Sequence, residues 1–575
     1  MTTTPQDEKE WVTDSLADAV SSFFARYLKG EEGQALSRLS HLLTLKASSG
    51  SSHLLAEEAT KINPNWQDLP AVGQEDANLP FVYTKAGKLY FRRFYEYEKQ
   101  IATVLKKRLD EPSSTLQQGS LEFFESSLAG QVDDQQAHAV MQALQKSFLL
   151  VTGGPGTGKT RTIVAILAAY IQNSPGKRIA LTAPTGKAAF RMRESVMQTV
   201  ESLNLPDNVR ASLLESSRSS TIHRLLGSKH GSVGFRRNQA NPLPHDLVIV
   251  DEASMVDLPL LAKLCQALRE DAKFILVGDA DQLAPVQGGA VFNGLVKPTG
   301  SYIFGESDSL PASGVQEPAK EAKCRNVLSG NLVKLSHVHR RDHNASALRI
   351  GELCDAIKDG RGQNALDIAS SGEPGISWIS MGNDNDAGIS DVIRSGFQEF
   401  YQSEQPAKAL SHLGKFRILC AYNDGAFGVV RWNLLAEHAL DASVERPRPV
   451  VVGVNDYSVG LFNGDDGVVL GNRAFFASDE GVRELACSRL PQHQNGYATS
   501  IHRSQGSEFD KVLIVLPYAE SKLLNRELLY VAVSRAKEKV FLVGSEESFA
   551  AAVMRSEKQN SGVWDLINHS TTITA

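Results

Sequence analysis

Cysteine is scarce in this chain of 575 residues: there are five, Cys265, Cys324, Cys354, Cys420 and Cys487, and no two form a CxxC pair. That spacing argues against a zinc ribbon or a disulfide framework and predicts a reduced protein. Long apolar runs are missing as well. None approaches the ~20 residues a membrane helix needs, and the opening MTTTPQDEKEWVTD is acidic, without the apolar core of a signal peptide. A soluble protein of the cytoplasm, with no membrane partner, is the expectation. Nor is positive charge in excess, because 60 Lys and Arg against 66 Asp and Glu leave a formal net charge of −6. Binding of nucleic acid through bulk basicity is thereby disfavoured, although a single basic channel would not show in the total. His337, His339 and His502 stand at no metal-ligand spacing. What is present is an ordinary composition, 42% hydrophobic and 22% charged, at a length that calls for two to four cores.

Organisation changes along the chain. Trp11, Leu16, Val20, Phe23, Phe24 and Tyr27 recur at helical spacing, a Ser/Gly turn falls at Ala47–Ser52, and a second helical run spans Arg92–Leu109. Residues 1–115 are expected to be a helical domain with no site of their own. Further on, short apolar strands are expected at Ser147–Thr152, Arg178–Ala183, Asp246–Val250 and Lys273–Gly278, with helices between them. That alternation predicts an α/β fold with parallel sheets and crossover helices. The Gly-, Ser- and Pro-rich stretch 298–331 reads as a connection. A second α/β region has strands near Phe416–Ala421, Lys511–Leu516 and Val540–Gly544. Within it, Arg448–Leu470 alternates strand residues with Asn/Asp/Gly turns, as a small β-rich insertion would.

The strongest chemical signal is VTGGPGTGKT, Val151–Thr160, a strand running into the pattern GxxxxGK[ST]. Gly153, Gly154, Gly156 and Gly158, with Pro155 and Thr157 between them, let backbone N–H groups wrap phosphate oxygens at a helix N-terminus. Lys159 is placed to reach the β- and γ-phosphates and the Thr160 hydroxyl to ligate Mg²⁺. Some ninety residues on, LVIVDEASMVD (Leu247–Asp257) sets two acids at the carboxyl end of an apolar strand, where ligands of open parallel sheets bind. Asp251 suits the metal and Glu252 the attacking water. The P-loop and this pair together predict a nucleotide hydrolase.

Other segments narrow the class. FILVGDADQLAPV (Phe274–Val286) places Gln282 just past a strand end, suited to sensing a γ-phosphate. ALTAPTGKAAFRM (Ala180–Met192) carries a Thr/Gly/Lys turn suited to a DNA phosphate. SIHRSQGSEFDKVLIVLP (Ser500–Pro517) and RELLYVAVSRAKEKVFLVG (Arg526–Gly544) follow far downstream. In this order GGPGTGKT, APTGKAA, DEASMVD, GDxxQL, HRSQGSEFD and YVAVSRA resemble the motif set of superfamily 1 helicases. More closely, they resemble the RecD family, the alpha subunits of bacterial exodeoxyribonuclease V. The likeness is strong over about residues 131–550.

The resemblance implies a P-loop NTPase with two tandem RecA-like motor domains, at 116–335 and 336–575. It also implies a small inserted subdomain around 191–240 and an SH3-like insertion around 446–495, to which LFNGDDGVVL (Leu461–Leu470) belongs. It assigns Gln136 to adenine, Arg340 and Arg535 to the γ-phosphate, and Gly506 and Glu508 to the ATP site. Thr185, Lys187, Thr221, His223, Ser500 and His502 fall on the path of the DNA strand, so removing the Lys187 charge is expected to weaken strand binding and flatten its salt dependence. The activity implied is ATP- and Mg²⁺-dependent 5′→3′ unwinding of single-stranded and duplex-end DNA during double-strand-break repair. The implied partners are two larger subunits, RecB-like and RecC-like, with residues 1–115 as the domain that docks on a partner. No acidic-plus-lysine nuclease cluster stands in this sequence, which places the nuclease on another subunit.

Overall fold

The computed structural model describes residues 6–569 except 217–218, 230–233, 284, 286–287, 301–327, 329, 340–343, 380–385, 441–445, 457, 479–480, 522 and 557–560. Arg340 and most of the stretch 298–331 lie outside the described residues.

Each half of the α/β region is built on an all-parallel sheet. In the first, the strands run in the order Leu332–Leu335, Phe148–Gly153, Lys273–Gly278, Leu247–Val250, Ile179–Ala183, Ser220–Thr221. Successive side chains alternate between faces, and these strands read as unbroken apolar runs because both faces are covered. Leu149, Val151, Leu181, Ile249 and Ile275 pack on the side of helices Lys159–Asn173 and Gly186–Ser202. Phe148, Leu150, Val248, Val250 and Phe274 pack on the side of helices Leu258–Ala267 and Arg92–Asp110. The second sheet runs Ile376–Ile379, Ala536–Val543, Phe509–Val515, Phe416–Cys420, Ala498–Ser500, again all parallel. All seven strands expected in the two halves are present; the largest shift is at Ala536–Val543, which begins before Val540.

Three expectations need correction. A helical N-terminal domain is incomplete: helices Gln6–Tyr27, Gly30–Ser48 and Arg92–Asp110 are there, but so is a sheet ordered His53–Leu55, Lys88–Phe91, Phe81–Tyr83, Val72–Gly73. Strands this short show no readable alternation. Helix Arg92–Asp110 packs Ile101 and Leu105 on the first parallel sheet, and Val563 and Ile567 join the same core. Packing therefore does not follow the boundaries drawn at 115 and 335. Finally, much of 191–240 is not a separate insertion. Met192, Val196 and Val200 of helix Gly186–Ser202, with Leu205, Val209 and Leu213 after it, belong to the first sheet's own core. Only beyond helix Ile222–Leu226 does the chain leave that sheet, through an antiparallel bridge Ser228–Phe235.

The β-rich insertion is a five-stranded antiparallel sheet, ordered Gly481–Ala486, Arg473–Ser478, Asp466–Leu470, Arg448–Val452, His493–Asn495. Val450, Val452, Leu461, Val469 and Phe476 give it a core of its own. No helix among the described residues is long and apolar enough to cross a membrane.

Candidate active site

Strand Phe148–Gly153 ends at the P-loop, and helix Lys159–Asn173 begins directly after it. Gly156 and Gly158 have φ of 78° and 81°, a region costly for any residue with a Cβ. A Cβ on Gly158 would also run into Gln136 Nε2. Thr157 Oγ1 braces the loop by donating to Gly154 O at 2.9 Å. Lys159 Nζ lies over the loop, donating to the carbonyls of Gly153 (2.9 Å) and Gly154 (3.0 Å). Loop N–H groups, a helix N-terminus and an ammonium group converge as an anion cradle. Thr160 sits in the first turn, half-buried.

Two strands along, at the same sheet edge, Asp251 N donates to Thr182 O and Glu252 N donates to Asp251 Oδ1 at 2.9 Å. Glu252 has φ 51°, the only positive φ of a non-glycine among the described residues. Such a conformation costs on the order of 1–2 kcal/mol. Its Oε2 is buried with no hydrogen-bond partner. Burial, then the Glu252 charge, raises the Asp251 carboxyl well above the ordinary carboxylate range, against the pull of the Glu252 amide and Lys159. A buried carboxylate beside an unpartnered carboxylate oxygen supplies hard oxygen donors of the kind Mg²⁺ takes.

Between those strands, Lys273–Gly278 delivers Asp279 and Gln282, 1% and 2% exposed. Asp279 Oδ1 accepts from Asp281 N at 3.0 Å and its carbonyl from Gln282 N at 3.2 Å, which fixes the turn. Gln282 Oε1 is buried without a partner. The second α/β half closes over this edge. A cavity of about 210 Å³ is lined by Gly153, Gly154, Thr157 and Asp279 from the first half and by Asp355, Lys358, Tyr530 and Lys537 from the second. Tyr530 OH donates across it to Asp279 Oδ2 at 3.1 Å.

Gln136 is fully buried beside the P-loop. It is the third residue of a capping box with Asp133, and its Nε2 lies 3.4 Å from Thr157 O and 3.3 Å from His339 Nε2. Asp133 Oδ2 in turn meets His339 Nε2 at 2.8 Å. Arg535 is not brought to the phosphate cradle: its guanidinium donates to Val531 O, Ser507 O and Ser534 Oγ within the second half. Gly506 and Glu508 face helix Gly186–Ser202 of the first half. A Cβ on Gly506 would meet Ala188 at 3.5 Å, and the Glu508 charge acts on Arg191.

The strand-path residues separate into groups. Thr185 and Thr221 cap helices Gly186–Ser202 and Ile222–Leu226, each accepting at 3.1 Å from the N–H three residues on. Their strands are neighbours, so both mark one end of the sheet edge. The P-loop strand lies three places away in the sheet order, about 14 Å at ordinary strand spacing. His223 is exposed, its ring 5.7 Å from that of Phe235. Ser500 ends the edge strand of the second sheet and His502 follows it, with Ser500 Oγ accepting from Arg503 N at 3.4 Å. Lys187 is different: its Nζ donates to Asp466 of the inserted sheet, and the second oxygen of Asp466 is 3.3 Å from the buried Arg417. In this arrangement its charge is used inside the protein.

Sequence reasoning missed Tyr530, which stood inside the quoted YVAVSRA without a role, and the Lys187–Asp466–Arg417 cluster. It missed them because partners hundreds of residues apart carry no spacing signal. Among the described residues no group of three or more His, Cys, Asp or Glu could hold a metal by itself.

Residues 136–288 match the family model of an AAA domain and residues 495–543 that of a UvrD-like helicase C-terminal domain. The RecBCD enzyme subunit RecD of Mycobacterium tuberculosis is 37% identical over 454 residues, covering 75% of this chain and 72% of that one. The subunit RecD of Haemophilus influenzae is 30% identical over 602 residues, covering 94% and 91%. The ATP-dependent RecD2 DNA helicase of Deinococcus radiodurans is 29% identical, covering 90% of this chain and 63% of its own length. A solved structure of Pif1 helicases at forked dsDNA aligns over 76% of this chain with 17% identity and a TM-score of 0.40. Identity of this extent to the RecD subunits, across most of both chains, shows that the chain belongs to the RecD family.

Proposed function

We propose that this chain is the ATP-driven DNA helicase subunit of a RecBCD-type helicase–nuclease, moving 5′→3′ on one strand at a broken duplex end. The observation that carries the reading is the composite cavity: the P-loop on one parallel sheet faces Tyr530, Lys358 and Lys537 from the other. Hydrolysis in such a cleft changes how the two sheets are held together, and residues at the far end of the same edges ride on that change. Thr185 and Thr221 from one half and Ser500 and His502 from the other are the proposed strand contacts, with His223 beside them. Contacts of this kind bear on the backbone and leave sequence unread.

In the reaction, Lys159 and the loop N–H groups hold the β- and γ-phosphates. Glu252, kept in its left-handed conformation, orients the attacking water, and Gln282 reads the γ-phosphate through the turn anchored by Asp279. Arg340 and Arg535 are the proposed guanidinium groups of the second half, stabilising charge that grows on the γ-phosphoryl. Gln136 selects adenine. Thr160 and Asp251 would hold the Mg²⁺ that accompanies ATP, which neutralises phosphate charge. The proposed partners are two larger subunits, one of them carrying the nuclease, and the proposed location is the cytoplasm.

The test is to purify the tagged full-length chain from its native cell and assay ATP hydrolysis and unwinding of 5′-tailed and 3′-tailed duplexes, with Lys159→Gln as control. Two larger co-purifying chains and 5′-tail-dependent unwinding lost in Lys159→Gln support the reading. A lone 62.5 kDa species active on DNA would remove the subunit assignment, and 3′-tail dependence would remove the polarity.

A further inference from the structure

We infer that Tyr530 is a positioning residue of the motor, whose hydroxyl, bonded to the Asp279 carboxylate across the cleft, holds the Gln282 turn for hydrolysis only when the two halves are closed. The inference rests on the ATP-driven motor reading above. Both side chains are buried, at 5% and 1% exposure, and they belong to different sheets. Tyr530 projects from helix Arg526–Ser534, whose next turn carries Arg535 as its C-cap. Asp279 follows the strand that neighbours the P-loop strand.

The two oxygens of Asp279 have separate duties. Oδ1 fixes the turn leading to Gln282 through Asp281 N, and Oδ2 accepts from Tyr530. Tyr530 is the donor to Oδ2, so opening the cleft strips it of that phenol. Tyr530 OH also stands over the P-loop, 3.4 Å from where a Cβ of Gly154 would be. One hydroxyl therefore touches the phosphate loop and the sensing turn from the opposite half. Burial and the Asp279 charge push the phenol's proton affinity well up, which keeps Tyr530 the donor. A second link, Lys358 Nζ to Asp281 Oδ2 at 3.9 Å, crosses at the same turn but between partly exposed groups, where an ion pair contributes little.

The experiment compares wild type, Tyr530→Phe, Asp279→Asn and the double variant in the full-length chain with its co-purifying subunits. ATP turnover that persists in Lys159→Gln is subtracted as belonging to another motor. Tyr530→Phe removes only the hydroxyl. The expected result is a kcat for single-strand-stimulated hydrolysis lower by about tenfold, KM for ATP within twofold, and more ATP consumed per base pair opened. Asp279→Asn is expected to fall similarly, and the double variant no further than the worse single one, as groups acting as a unit do. Melting temperature identifies a folding defect in either variant; the other then reports the same link from the opposite side. Wild-type kcat in Tyr530→Phe, a loss confined to KM, or additive losses in the double variant would each overturn the inference. If the wild-type chain itself shows no DNA-stimulated hydrolysis above Lys159→Gln, it is the motor reading that fails.

Discussion

Replacing Asp466 with Asn should make the protein less stable and bind a single strand more tightly at low salt. Asp466 accepts from Lys187 with one oxygen and meets Arg417 at 3.3 Å with the other, and Arg417 is 2% exposed. Burial alone would raise its carboxyl, but Arg417, Lys187 and Arg191 outweigh that and hold it far below the ordinary carboxylate value. For Lys187 itself burial prevails and lowers its proton affinity. Breaking a buried ion pair by removing one member costs about 3–5 kcal/mol, because the other charge stays buried and unpaired. Here one carboxylate serves two cations, while roughly a fifth of the Lys187 and Asp466 side chains still reaches solvent (18% and 19% exposed). The lower end, about 3 kcal/mol, is the expectation.

The pH sign is fixed by the same shift. A carboxyl depressed in the folded state contributes its stability above its unfolded value near 3.8 and loses it as pH falls through the folded one. The wild-type advantage over Asp466→Asn should thus be full at neutral pH and shrink only in strong acid. For DNA, a freed Lys187 adds one phosphate contact, so the slope of log K against log salt should steepen by about 0.7. Urea unfolding at two pH values and a salt titration of strand binding check both parts. Unchanged stability at neutral pH would refute the energetic argument. An unchanged salt slope would mean that Lys187 never meets a phosphate.

The remaining predictions concern single positions. Glu252→Gln should bind nucleotide normally yet hydrolyse it at least about 100-fold more slowly, as loss of a water-orienting base does; single-turnover hydrolysis after a separate binding measurement checks this. Gly562→Ala should undock the C-terminal helix, because a Cβ there would strike Tyr90 OH and Glu98 Oε2. Overpacking of that kind costs about 1–3 kcal/mol, visible as early hydrogen exchange over Val563–His569. Gln136→Ala should weaken ATP discrimination against GTP and cost about 1 kcal/mol through the lost capping box, read from competition binding and from melting temperature.

Much of the fold was legible because its signals are local. The strand Leu247–Val250 could be read as buried from four consecutive apolar residues, and the P-loop from glycines whose spacing follows from phosphate geometry. The small sheet of residues 53–91 was not legible: Val72–Gly73 and Phe81–Tyr83 offer too few residues for a period, and pairing makes them strands, Val72–Gly73 with Phe81–Tyr83 and Phe81–Tyr83 with Lys88–Phe91. Thr185 and Thr221 were found as candidate contacts, yet the same hydroxyls are helix caps, and sequence cannot separate the two duties when one geometry serves both. Lys187 shows the converse. A lysine in a Thr/Gly/Lys turn invites a phosphate, but its actual partner stands 279 residues away on another sheet.

Arg535 brings these points together. If it is the group that meets the γ-phosphate, it must first leave Val531 O, Ser507 O and Ser534 Oγ, at 3.2, 3.0 and 3.4 Å. Hydrogen bonds to a charged group are worth about 1.5–3 kcal/mol each, so the departure costs several kcal/mol unless new partners are waiting. Charge on the γ-phosphoryl would offset it, and that charge peaks in the transition state. The cost then works as a gate: nucleotide binding alone leaves Arg535 where it is, and closure that brings the phosphate near releases it. Gly506, at φ 70° in the segment that holds Ser507, is the point at which that backbone can turn. A motor built this way wastes little ATP, because Arg535 stays satisfied within its own half until transition-state charge draws it out.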